Sequence, residues 1–422
     1  MREPGAVRYQ KNLALEGLRG LACLNVVIAH FTFTFMPYAS HFLYPEGDIV
    51  QRFAVECWLA KPYFSVLYNG TFPVSIFFVM SGWVLTAPFV SEYDNTSLRR
   101  AALKRYPRLV LPAACAILFA WLLQEAGAMG TSRALEVGFA GWLRDHYVRP
   151  VPLFPDVLAN MFVGAPVNGQ SFLDTPLWTL RIELLAPLLI FALIALFGAR
   201  RPGPVALVYA IMAVNIFPQN GAAMHLFAFL SGYLLCFMVP SLRRRPTLAV
   251  GTFVVGLVFG AFDYSQHFSP LLALPLPDLM PYAWNLGGDR KTLFHTVGGI
   301  LTVAGVLGAS PILAWLGCRP LVWLGKVSFS AYLLHWPLVC SFAIAVVAAG
   351  ERADLSYPQA VLLAGLAYLP IVYACATVFE RVVDAPAIRL AGRLAQMGQR
   401  STLSKASSTR LSGTTQTLRA ET

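Results

Sequence analysis

Apolar runs long enough to cross a bilayer recur along almost the whole chain, and the polar residues gather in short stretches between them. A window of about 20 residues, enough to span the hydrocarbon core, marks ten runs. They centre on 13–36, 72–90, 108–126, 177–198, 203–218, 222–240, 247–262, 294–316, 327–349 and 359–380. The fifth and seventh are short and contain or abut Pro or Gly. Between the third and fourth, residues 127–176 hold two weaker patches, Val137–Leu143 and Val157–Val163, whose lengths predict interfacial or re-entrant pieces. No internal repeat stands out. The pattern predicts an all-α fold, a polytopic transmembrane helix bundle of about ten spans. Residues 1–12 lead into a membrane domain over 13–394, and a tail over 395–422, rich in Ser, Thr and Gln, reads as disordered.

Composition agrees with the pattern. Hydrophobic side chains make up 57% of the 422 residues and charged ones 13%, where soluble domains carry about 25% charged. The first run contains Glu16 and Arg19 and has no small-residue cleavage site, so it reads as an uncleaved span.

Charge then orients the bundle. If the N-terminus is cytosolic, 22 Lys and Arg fall on the cytosolic side, eight on the other, and two, Arg19 and Arg181, inside spans. That bias is the positive-inside pattern for ten crossings with both termini cytosolic. It accounts for the net charge of +11 without nucleic acid, for which no binding motif appears. Five of the seven cysteines fall in spans, and no Cys/His spacing predicts a disulfide framework or a metal site. Asn69-Gly70-Thr71 is a glycosylation sequon abutting the second span.

Ionisable residues within spans carry the candidate chemistry, because charge in lipid is costly and usually faces an interior cavity. In GLRGLACLNVVIAH, Arg19 and His30 are eleven apart. They therefore share a helix face and stand about 16 Å apart along its axis. In TPLWTLRIELLAP, Glu183 falls near the depth of His30, where a carboxylate hydrogen-bonded to the imidazole would suit a general base. Arg181, two positions earlier, points to a nearly opposite face and reads as an outer-mouth or headgroup contact. In VSFSAYLLHWPLV, His335 falls near the level of Arg19, either as a second acid/base residue or as a satisfied histidine beside the Trp336-Pro337 kink. Ser81-Gly82 in FFVMSGWVL is a small pair that permits close helix approach. His225 and His295 lie at outer span ends and read as interfacial.

LEGLRGLACLNVVIAHF resembles the opening of the acyltransferase family 3 membrane proteins, with Arg, ten residues, then His. FFVMSGWVL, RRAALKRYPRLVLP, PLWTLRIELLAP, VSFSAYLLHWPL and VDAPAIRLAGRL follow in the family's order, so the resemblance covers about residues 12–394. LWTLRIELLAP keeps one Glu where many relatives have two, and Asp384-Ala385-Pro386 replaces a common Glu, basic residue, Pro. The resemblance implies transfer of an acyl group, commonly acetyl, from cytosolic acetyl-CoA or another acyl-CoA co-substrate. The acceptor would be a hydroxyl, often on a saccharide or lipid-linked sugar bound for export.

On that expectation His30, oriented by Glu183, is the base or acyl relay. Arg19 holds the donor's polar end or stabilises the oxyanion. A basic loop with Arg99, Arg100, Lys104, Arg105 and Arg108 grips the CoA phosphates, although the same charges also serve positive-inside anchoring. The competing class is a proton-coupled transporter, which predicts inverted repeats with paired broken helices. No sorting signal appears, which favours a bacterial inner membrane.

Overall fold

The computed structural model describes residues 12–44, 51–130, 150–216, 222–274, 290–309 and 311–397. Ten major helices match the ten apolar runs: α1 (Leu13–Phe35), α2 (Thr71–Ser91), α3 (Asn95–Glu125), α4 (Thr179–Phe197), α5 (Pro202–Ile216), α6 (Ala222–Arg243), α7 (Pro246–Gly260), α8 (Arg290–Gly308), α9 (Arg319–Leu338) and α10 (Tyr357–Phe379). Among the described residues, eight apolar helical stretches are long enough to cross a membrane, and two shorter apolar helices are α5 and α7. The protein is a polytopic membrane bundle.

Local chemistry sets the helix starts. The Asn12 side chain accepts from the backbone N–H groups of Ala14 and Leu15 and opens α1, capping donors that have no partner within the helix. Asp94 does the same for α3 through Thr96 and Ser97, and these hydrogen bonds hold its exposed carboxyl below the usual range. With that cap and no breaker before Pro107, the basic stretch 99–108 is helical, not the loop expected from its charge. At 31 residues α3 is about 46 Å long, more than the hydrocarbon core needs, so its first turns project beyond it.

Helix α9 also begins earlier than expected. Pro320 opens it directly after Arg319, and Arg319 and Lys326 lower the hydropathy of its first two turns. Past Pro337 it loosens into a π turn over Val339–Ala343 and resumes as Ile344–Arg352. Beyond α10 a π turn over Glu380–Asp384 leads into a helical segment that continues to Met397.

Two seams fix the architecture. Along α1 and α9 the backbones touch: a Cβ on Gly325 would lie 2.0 Å from the Glu16 carbonyl oxygen, and one on Gly20 would lie 2.6 Å from the Gly325 nitrogen. Farther along, the Cys23 thiol donates to the Ser328 carbonyl at 3.1 Å, and His30 meets His335. The two helices therefore run parallel. Gly82 and Gly232 bring α2 and α6 together in the same way, each leaving about 2 Å for a Cβ against the other's backbone. Gly82 thus does the close packing expected of the Ser81-Gly82 pair, while Ser81 turns to another partner.

One core gathers around α2, α4, α6 and α8, and a second around α1, α3, α9 and α10. The Val157–Val163 patch forms a short helix, Phe154–Ala159, passing into a π turn over Asn160–Asn168. It buries Val157, Met161 and Ala165 at four-residue spacing and exposes Leu158, Phe162 and Val163. The Val137–Leu143 patch, and the tail beyond Met397, lie outside the described residues. Asn69 is fully buried, its side chain donating to the Gly260 carbonyl at 2.6 Å and accepting from Phe72 N–H. The sequon is thus absorbed into the fold.

Candidate active site

A cavity of about 560 Å³ lies among α1, α2, α3, α4, α9 and the Glu380–Asp384 turn with the helix after it. It reaches the end where α1 begins, with Asn12 in its lining, and α1 supplies Glu16 and Arg19 on one face, three residues apart and paired at 3.4 Å. Lys326 of α9 pairs with Glu380 at 3.4 Å. Arg108 of α3 sits within electrostatic reach of Arg19, Glu16, Glu183 and Asp384. Phe77, Val84, Leu109, Leu180 and Phe329 supply apolar lining.

Arg105, the most buried of the charged residues lining the cavity, explains why Glu183 stands where it does. Pro187 has no N–H, so the Glu183 carbonyl lacks its usual donor four residues on. Arg105 Nε supplies one at 2.8 Å, and its Nη2 donates to the Glu183 carboxylate. The other carboxylate oxygen accepts from the Ser81 hydroxyl at 2.8 Å. A buried charge kept in this way needs both its counter-ion and its remaining hydrogen bonds. Glu183 therefore serves Arg105, which corrects the expectation that it orients His30. Matching depth along two helices places residues at one level but does not fix which way each faces.

The inner end of the cavity is closed by Tyr332 and Thr179. The Tyr332 hydroxyl donates to the Pro176 carbonyl and lies 2.7 Å from the Thr179 hydroxyl. One turn farther along α9 is His335, fully buried, with Nδ1 2.6 Å from the Tyr332 carbonyl oxygen and Nε2 3.1 Å from His30 Nδ1. His30 Nδ1 also lies 3.0 Å from the Val26 carbonyl oxygen, and the Trp336 ring packs edge-on against the imidazole. His335 thus stands level with His30 and not with Arg19, as its later expected helix start had implied. It is 16 residues into α9, and His30 is 17 residues into α1. Neither histidine lines the cavity, and Tyr332 is the link between the two places.

The candidates therefore divide. Arg19, Ser81, Arg105, Arg108 and Glu183 come together in the cavity, and His30 with His335 lies just behind its inner wall. Arg99 and Arg100 are exposed on the first turns of α3, and Lys104 is half-buried; none of the three lines the cavity. Arg181 packs its aliphatic stem against Gly169, away from the cavity.

The family comparison agrees with the fold and with the motif order. The acyltransferase domain model of family 3 matches residues 12–381. The chain belongs to acyltransferase family 3. Among curated proteins that the chain is similar to, the O-acetyltransferase PaAT-1 of Phomopsis amygdali is 22% identical over 369 residues, covering 77% of this chain and 71% of its own. The inner membrane protein YcfT of Escherichia coli K12 is 33% identical over 76 residues, covering 18% of this chain and 19% of its own. No solved structure matches.

Sequence reasoning missed five cavity residues. Glu16 carried a signal, since it stands three residues before Arg19 on a helix. Lys326, Glu380 and Asp384 carried none that spacing alone reveals. Tyr332, three residues before His335, was readable only once the start of α9 was known. The sequence also contained a signal for the Arg105 site, because Glu183 followed by Pro187 implies a carbonyl in need of a donor.

Proposed function

We propose that the protein is an integral-membrane O-acyltransferase moving an acyl group, acetyl in the first instance, from acyl-CoA to a hydroxyl. The acceptor is a saccharide, a lipid-linked sugar or another molecule destined for export. The observation that carries this reading is the cavity of paired arginines that ends at Tyr332, one helical turn from His30 and His335. The end of the cavity where α1 begins faces the cytosol, in keeping with the positive-inside bias of the loops at that end. The membrane is a bacterial inner membrane.

Arg105 and Arg108 receive the polar end of the donor, and Arg99, Arg100 and Lys104 draw in its phosphates from outside. Arg19, about 16 Å from His30 along α1 and paired with Glu16, holds the polar end of the donor with Arg105 and Arg108. His30 takes the acceptor's hydroxyl proton as that oxygen bonds to the thioester carbonyl carbon. Collapse of the tetrahedral adduct breaks the C–S bond, and the proton passes from His30 to the departing thiolate. Transfer is direct, without an acyl-histidine.

Free-CoA release from acetyl-CoA tests the reading, using protein in lipid with and without a crude glycan or glycolipid extract. Release stimulated by extract, and reduced at least ~10²-fold in His30→Ala at equal protein level, is the expected result. Full release by His30→Ala would remove His30 as the base. Flux of solute without CoA release would make the protein a transporter.

A further inference from the structure

Two of the histidine contacts are to backbone carbonyls, and a carbonyl only accepts. His335 Nδ1 faces the Tyr332 carbonyl oxygen at 2.6 Å, so in the neutral ring that nitrogen carries the proton and Nε2 carries a lone pair. His30 Nδ1 faces the Val26 carbonyl oxygen at 3.0 Å, so it too carries its ring's proton. That one proton is shared between two acceptors, the Val26 carbonyl and the lone pair of His335 Nε2, 3.1 Å away. His30 Nε2 is left as the basic nitrogen. The chain has one direction, from His30 through His335 to the Tyr332 carbonyl.

We infer that His335 is the positioning residue for His30, accepting its Nδ1–H hydrogen bond so that Nε2 remains the proton-accepting nitrogen. The inference rests on the reading of His30 as the base. His335 fills the place that a carboxylate has in a catalytic triad, with a neutral lone pair in place of a charge. As His30 gains a proton on Nε2, its Nδ1–H becomes the stronger donor, and His335 is the acceptor already aligned for it. His335 is itself held from two sides. The Tyr368 hydroxyl donates to its backbone carbonyl at 2.9 Å. The Gly20–Gly325 contact sets the separation of the two helices that carry the pair. Ring centroids of His30 and His335 lie 4.8 Å apart.

His335→Leu and His335→Gln, purified in nanodiscs, separate this role from packing. The Gln amide oxygen accepts the same hydrogen bond, and Leu cannot. Acetyl-CoA turnover with the glycolipid extract is expected to fall about 10²-fold in kcat for His335→Leu, with the KM for acetyl-CoA unchanged. His335→Gln should recover most of that loss. Equal kcat values for the two variants, or a wild-type kcat for His335→Leu at wild-type thermal stability, would overturn the assignment. A second readout does not depend on turnover. In histidine-¹⁵N-labelled protein, a scalar coupling across the hydrogen bond should join His30 Nδ1 to His335 Nε2, and His30→Asn identifies its resonances. Its absence would overturn the assignment. Its presence in a wild-type protein that releases no CoA would uphold the hydrogen bond while removing the acyl-transfer reading.

Discussion

The cavity and the histidine seam lie one helical turn apart and solve opposite problems. In the cavity, full charges are held in a membrane bundle by pairing: Arg19 with Glu16, Arg105 with Glu183, Lys326 with Glu380. In the seam, two imidazoles are hydrogen-bonded to each other and to backbone carbonyls, walled by Trp336 and Phe33. Binding an anionic group needs cations that stay charged, whereas moving a proton needs a ring that changes its state. One environment could hardly serve both, and Tyr332 divides them.

The sharpest way to break the contrast is inside the cavity. Arg105→Ala leaves the Glu183 carboxylate half-paired and its carbonyl without a donor, and removing one member of a buried pair costs about 3–5 kcal/mol. Thermal unfolding in lipid should show that loss. The double change Arg105→Met with Glu183→Leu should restore much of the stability without restoring acyl transfer. A single and a double variant of equal stability would mean that the pair is not coupled.

Next comes the seam. Gly325→Ala places a methyl group where the Glu16 carbonyl now lies, and overpacking of this kind costs about 1–3 kcal/mol. It should lower transfer through the altered His30–His335 spacing while leaving acetyl-CoA binding close to wild type. Loss of binding in step with transfer would show that cavity and seam are one mechanical unit.

A smaller effect is expected from Arg99→Ala with Arg100→Ala on the exposed turns of α3. Exposed charges are screened and worth roughly 0–1 kcal/mol each, so the apparent KM for donor should rise several-fold at low salt and less at high salt. A fall in kcat instead would place these residues closer to the chemistry than their exposure allows.

Last is Asp174, just ahead of α4 and fully buried, with neither carboxylate oxygen hydrogen-bonded among the described residues. Desolvation pushes its carboxyl well above the usual range. A raised folded-state value favours the neutral acid, so its contribution to stability is full at low pH and is lost as pH rises through that value. Asp174→Asn should therefore gain thermal stability relative to wild type as pH increases. A constant difference across pH would remove the buried acid as its cause.

How much of this could be read beforehand differs between the same two regions. The apolar runs revealed every major helix, and Arg19 and Glu183, read within spans, do line one cavity, joined there by Arg105 and Arg108 of the stretch read as a cytosolic loop, while Arg181 does not. Partner choice was another matter. Hydropathy windows delayed the start of α9 because Arg319 and Lys326 diluted it, which displaced His335 from His30 by about two turns. The Glu183–Arg105 pair depends on which way each helix is rotated, and one sequence carries that only indirectly, through the carbonyl that Pro187 leaves without a donor.

The glycine seam between α1 and α9 has a consequence for what the protein can afford to vary. Where side chains separate two helices, each substitution resets the spacing. Here main chain rests on main chain at Glu16, Gly20 and Gly325, so the seam works as a jig whose gauge is the backbone itself. Residues around the cavity can then be exchanged to suit different donors or acceptors without moving the tool that the jig holds.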